Sequence, residues 1–258
     1  MKASPRRHAI ELESSNASSL RISLRIWLLA GFITLMVLPL VGVSQYFLRE
    51  YEASLRSNMI EHMEDMAAKK ERQINDYMNE RFRDVQRETT KPNQVNLMRQ
   101  LAAAEASYGL GSERYAREAE ALRPVFMAHA ETDYYYDTLL LDASGNVLMS
   151  VRRESDEGTN INSGPWRNSN LAAGFRLARD LLYTHLTPFD RYAPSGDGAA
   201  SFLMAPVVVD GKLIGVIALQ INLQQLQNVV ADRNGLGITG ETVLASRVGE
   251  QVLYTGPL

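Results

Sequence analysis

The segment RRESDEGTN, residues 152–160, sets two guanidinium groups, three carboxyls and a glycine close together. Arginine N–H donors grip carboxylates and a carboxylate accepts from an amine, so this loop has the chemistry to hold a small polar molecule. Two readings stay open: a solvated surface, or the lip of a pocket. Bond-making chemistry has less to stand on. His8, His62, His129 and His185 share no metal-ligand spacing. There is no serine elbow, no cysteine to act as nucleophile or thiolate ligand, and no acid pair placed for glycoside hydrolysis. DASGN, residues 142–146, lacks the oxygen spacing and terminal glutamate of a calcium loop. GLGITG, residues 235–240, matches a dinucleotide fingerprint by letters, but a helical pattern precedes it and a strand pattern follows, so it reads as a linker. No enzyme activity, metal or cofactor is expected of this chain.

The loop depends on the elements that hold it. A chain of 258 residues has room for one or two domains with real cores. A net charge of -3, with no basic stretch interleaved with aromatics, argues against a nucleic-acid partner. Residues 26–48, IWLLAGFITLMVLPLVGVSQYFL, hold no charge between Arg25 and Arg49. At about 1.5 Å per residue such a helix crosses a hydrocarbon core of about 30 Å. The run is too long for a signal-peptide core and no small-x-small cleavage site follows it, so a retained transmembrane helix is expected rather than a cleaved leader or a buried core helix. Pro39 is expected to kink it. Lys2, Arg6, Arg7, Arg21 and Arg25 precede the span, which places residues 1–25 in the cytoplasm as a tail and everything after residue 48 outside. The first 22 residues, rich in serine and charge, read as disordered.

Beyond the membrane a helical pattern runs from Glu50 to the break at Pro92, with Leu55, Met59, Met63, Met66, Ile74, Tyr77, Phe82 and Val85 on one narrow stripe. A stripe this thin either packs on the following domain or meets its twin in a homodimer. Two helices follow, about 94–107 and 112–130, with Ser112 as an N-cap and Pro124 inside the second. After Asp133 the period becomes strand-like. DTLLLD and NVLMSV flank a turn in which Gly145 or Asn146 takes positive φ, and SFLMAPVVV and LIGVIALQI flank the hairpin signal Asp210-Gly211. Between them lie a helix capped near Ser169 and a strand within residues 183–189. Antiparallel strands with helices on one face make an α+β domain. NLQQLQNVVADRN reads as a closing helix, and GETVLASRVGEQVLY as the start of a further strand pair, which suggests a truncation at Leu258.

LLLDASGNVLMSVRRESDEGTNINSGPWRNSNLAAGFR resembles the membrane-distal module of double-Cache sensor domains, extracytoplasmic relatives of PAS folds. YAPSGDGAASFLMAPVVVDGKLIGVIALQI resembles that module's last strands, and GLGITGETVLASRVGEQVLYTGPL the start of the membrane-proximal module. The resemblance covers residues 50–258 and implies this division: a tail at 1–25, the span at 26–48, stalk and helices at 49–132, the sensing module at 133–222, and a linker helix with an incomplete second module at 223–258. It further implies a receptor in the bacterial inner membrane, single-pass in this chain with its bulk periplasmic. The output would be a histidine kinase, a diguanylate cyclase or a chemoreceptor rod.

In that family the pocket lies between the sheet and the segment joining its second and third strands, here residues 152–182. Arg152 and Arg153 would supply donors for a carboxylate, Trp166, Tyr183, Phe189 and Tyr192 the walls, and Asp190 an acceptor for an amine. The bland alternative leaves both arginines in solvent and Trp166 covering a sheet edge. The family's amino-acid motif does not match at its expected spacing, which puts an amino-acid ligand in doubt and leaves organic acids and amines beside it. Two functions follow: a small-molecule receptor, or a membrane-anchored periplasmic interaction module without a ligand. A secreted enzyme with an uncleaved leader is a remote third.

Overall fold

The computed structural model describes residues 23–128, 135–233, 236, 240–248 and 250–254. The N-terminal tail with His8, as well as His129 and most of GLGITG, lies outside them. The chain forms two compact units, residues 1–61 and 62–258. Helix α1 (Leu24–Thr90) supplies the described part of the first and the start of the second. In the first unit its side chains are exposed throughout, Pro39 lies inside it, and its apolar run is long enough to cross a membrane.

The second unit continues with α2 (Pro92–Tyr108), α3 (Glu113–Met127), β1 (Tyr135–Asp142), β2 (Val147–Ser150), α4 (Asn170–Leu181), β3 (His185–Leu186), β4 (Asp190–Tyr192), β5 (Gly198–Ala200), β6 (Phe202–Val209), β7 (Lys212–Ile221), α5 (Leu223–Ala231), β8 (Ala245–Val248) and β9 (Gln251–Tyr254). Five strands pair antiparallel in the order β2-β1-β7-β6-β3, while β4–β5 and β8–β9 are separate antiparallel pairs. This is an α+β, PAS-like arrangement, with the first strand inside the sheet and α4 in the connection between β2 and β3.

Local chemistry sets the element ends. The Ser112, Ser169 and Asn222 side chains accept from Tyr115, Ala172 and Gln224 N–H and cap α3, α4 and α5. Asp210 and Gly211 both take positive φ, 50° and 73°, and join β6 to β7 as a tight hairpin. In the β1–β2 turn it is Gly145, at φ 90°, that supplies the left-handed residue, and the Asp142 carboxylate accepts from Ser144 and Asn146 N–H. The strand expected over residues 183–189 is only β3. Thr187 N–H still donates to Phe202 O, but Pro188 has no N–H to continue the ladder.

Strand parity divides the core in two. Leu140, Leu203, Ala205, Ile217 and Leu219 face Val85, Met98, Leu101, Tyr115 and Phe126 of α1, α2 and α3. Leu139, Leu141, Phe202, Met204, Val216 and Ala218 face the other way, against Leu171, Phe175 and Ala178 of α4, with Ile161 and Tyr192. Gly174 lets α4 approach closely, since a Cβ there would meet the Thr187 methyl at 2.5 Å. The apolar stripe of α1 is not uniform. Ile74, Tyr77 and Phe82 pack on the first cluster and Val85 is fully buried in it, whereas Leu55, Met59 and Met63 remain 50%, 67% and 55% exposed. Lys70 is buried: its ammonium donates to Val229 O and Asp232 O, both at 2.7 Å, at the C-terminal end of α5.

Candidate ligand-binding site

The α4 face of the sheet starts apolar and ends polar. In β1, Asp137 is in phase with Leu139 and Leu141, and in β7 its cross-strand partner Gln220 is in phase with Ala218 and Val216. Both point to the face where the loop 151–169 and the β4–β5 hairpin close over the sheet. The loop does not float there. Val147 N–H donates to Thr159 O, Gly158 N–H to Val147 O and Ile161 N–H to Gly145 O, so it lies along the free edge of β2. That pairing carries Asp156 inward until it is only 1% exposed, and its Oδ2 accepts from the Tyr192 hydroxyl at 2.6 Å. Tyr192 is held by an edge-on contact with Phe202, with centroids 4.9 Å apart. Glu154 accepts from Tyr136 Oη at 2.9 Å and from Ser195 Oγ at 2.7 Å, and Ser195 also meets Gln220.

Asp137, 2% exposed, uses one oxygen fully: Oδ1 accepts from Thr138, Val151 and Arg152 N–H at 2.7, 2.9 and 3.1 Å. Its Oδ2, like Asp156 Oδ1, is buried with no hydrogen-bond partner. A buried charged acceptor left unmade costs roughly 1–3 kcal/mol or more, so two of them in one place are not neutral packing. Burial pushes the Asp137 carboxyl up to about 7; the nearby Asp156 charge adds to this, and the three backbone donors oppose it. Burial also raises Asp156, against the Tyr192 hydroxyl bond, with Glu154 adding to the rise. The Tyr192 hydroxyl is raised by burial and then by Asp156, Glu154 and Asp137, so three acids from β1 and the loop bear on a single hydroxyl.

The structure does not bring the seven sequence-chosen residues together. Tyr192 is inside the cluster, and Trp166 is half-buried in the covering loop, its indole N–H donating to Ser155 O at 3.2 Å. Arg152 is exposed, laid over the Tyr136 ring at 4.4 Å with its Nε donating to Tyr136 O. Arg153, at φ 55°, turns to Glu120 on α3. Tyr183 is exposed beside His185. Phe189 packs on the first cluster, across the sheet, and the Asp190 carboxylate accepts from Arg191 N–H. Asp137, Glu154, Asp156, Ser195 and Gln220 are the residues that spacing alone did not single out. For Asp137 and Gln220 the signal was present: each is a polar residue in the core-facing phase of an apolar strand.

No protein-family model and no curated protein sequence matches the chain. Among solved structures the chain is similar to the sensor domain of the V. cholerae histidine kinase DctB, at 16% identity and TM-score 0.47 over 69% of this chain and 61% of that one. It is also similar to the sensory domain of the Campylobacter jejuni chemoreceptor Tlp3, at 13% identity and TM-score 0.46 over 78% and 87%. A third is the ligand-binding domain of the Pseudomonas fluorescens chemoreceptor CtaA, in complex with L-isoleucine, at 16% identity and TM-score 0.45 over 70% and 63%. The chain thus spans less than two thirds of the first and third of these. All three are sensor or ligand-binding domains, the kind that the sequence resembles.

Proposed function

We propose that this chain is the extracytoplasmic, small-molecule-sensing part of a membrane-anchored signalling receptor. The observation that carries the reading is the pair of buried carboxyl oxygens without partners on Asp137 and Asp156, enclosed by a loop that is itself hydrogen-bonded to the sheet. Buried polar groups are otherwise completed by protein, water or a ligand, so this pair marks a candidate place for a bound molecule. Tyr192 and the acids form the inner wall, Trp166 and Arg152 the covering loop, with residues 133–222 as the sensing module. Residues 26–48 anchor it in the bacterial inner membrane, with the tail cytoplasmic and the rest periplasmic. The stalk dimerises through the exposed Leu55, Met59 and Met63, and a histidine kinase, diguanylate cyclase or chemoreceptor rod receives the signal. Binding biases the receptor only by its difference in affinity between two packings.

The test is thermal unfolding of the 258-residue chain in detergent against organic acids, amines and amino acids. A bound ligand raises the melting temperature in proportion to the logarithm of its concentration once sites are filled. A flat response to all three classes favours the second reading, an anchored module that docks another protein. Trp166→Ala separates the two further: a sensor stays folded and loses its response, whereas a docking module keeps its partner.

A further inference from the structure

Resting on the sensing reading above, we infer that the site takes a primary amine that carries no carboxylate of its own, bound by Asp137 and Asp156. Both side chains are at least 98% buried, since 2% and 1% is exposed, and each leaves one oxygen without a partner. Asp156 accepts from the Tyr192 hydroxyl, and Glu154 of the same loop accepts from the Tyr136 and Ser195 hydroxyls. Among the described residues, no lysine, arginine or histidine forms an ion pair with any of the three. What the two open oxygens lack is therefore positive charge and a donor, and an ammonium group supplies both, with three donors on one atom.

Other ligand classes fit less well. The basic side chains of this region are engaged elsewhere: Arg153 with Glu120, Arg123 with Ser150 O and Glu157, and Arg152 on the outer face of Tyr136. A carboxylate brought to the cluster would meet three acids and no buried guanidinium, which sets free organic acids aside and handicaps a zwitterion. A metal ion is also disfavoured, because no group of three or more ligating side chains among the described residues is placed to hold one.

Titration calorimetry tests this on the full chain in detergent micelles at pH 8. The probes are 1,4-diaminobutane, ethanolamine and 2-phenylethylamine as amines, succinate and acetate as acids, and L-alanine and L-isoleucine as zwitterions. At least one amine is expected to bind, and Asp156→Asn to weaken it by roughly 30-fold or more. Tyr192→Phe, which keeps the ring against Phe202, is expected to weaken it less, by roughly 3- to 10-fold. Binding of an acid or a zwitterion with none of the amines overturns the amine class and leaves the sensing reading standing. Amine binding unchanged in both Asp137→Asn and Asp156→Asn places the site elsewhere and overturns the assignment. No heat from any of the three classes overturns both.

Discussion

Buried charge is handled in opposite ways on the two faces of the sheet. On the helical face two buried cations have an acid beside them: Arg81 of α1 meets Asp84, which also accepts from the Tyr135 hydroxyl, and Arg123 of α3 meets Glu157. On the α4 face, Asp137 and Asp156 are as deeply buried and, among the described residues, form no ion pair. The first pattern joins helices to strands and serves stability. The second costs stability, and a cost of that kind persists where function needs it.

The largest effect is expected where a pair is broken. Arg81→Ala leaves buried Asp84 with the exposed Arg87 and the neutral Tyr135 hydroxyl, and the loss is about 3–5 kcal/mol, read from chemical denaturation. On the other face, neutralising an acid should help. Asp137→Asn keeps an oxygen for the three backbone donors and puts an N–H where Oδ2 was, so at pH 8 it should gain about 1–3 kcal/mol. The sign follows from proton binding. The folded chain holds the Asp137 proton up to about 7, whereas the unfolded chain releases it near its ordinary value of about 4, so stability from this group falls as pH rises between the two and is level above. The gain from Asp137→Asn should therefore vanish at pH 4. The groups facing Asp137 in this titration are Asp156, Tyr136 and Tyr192, with Arg152 outside on the Tyr136 ring. Lys70→Met removes both donors from the α5 carbonyls and is expected to cost about 1–2 kcal/mol while leaving the carboxyl cluster intact. The smallest effect belongs to Arg152→Ala, within about 0.5 kcal/mol, because its side chain is exposed.

The same contrast explains what the sequence disclosed. The sheet was legible because its signals are local: Asp210-Gly211 sets one hairpin, Gly145 the other, and Ser112 and Ser169 cap the helices they precede. The β4–β5 pair was not, since Asp190–Tyr192 and Gly198–Ala200 are three-residue strands too short to show a period. The span and the apolar stripe of α1 were visible, with packing on the following domain as one of its two readings, but not that Ile74, Phe82 and Val85 are the part that serves the core, which depends on contacts far along the chain. The site was half legible. Its loop stood out by composition, yet the arginines that drew attention face outward, while Asp156 in the same charged run turns in because the segment pairs with the edge of β2. Charge alone does not tell which member of a polar loop is buried. Asp137 and Gln220 could be found by parity within their strands, a cue that the apolar neighbours obscure.

The most direct measurement is the melting temperature of the Asp137→Asn/Asp156→Asn double variant at pH 8, with and without 1,4-diaminobutane. If the two carboxyls are a binding site kept against the stability of the fold, the unliganded double variant melts higher than the parent and no longer responds to the amine. A double variant that melts lower than the parent, or that responds to the amine as the parent does, contradicts the account.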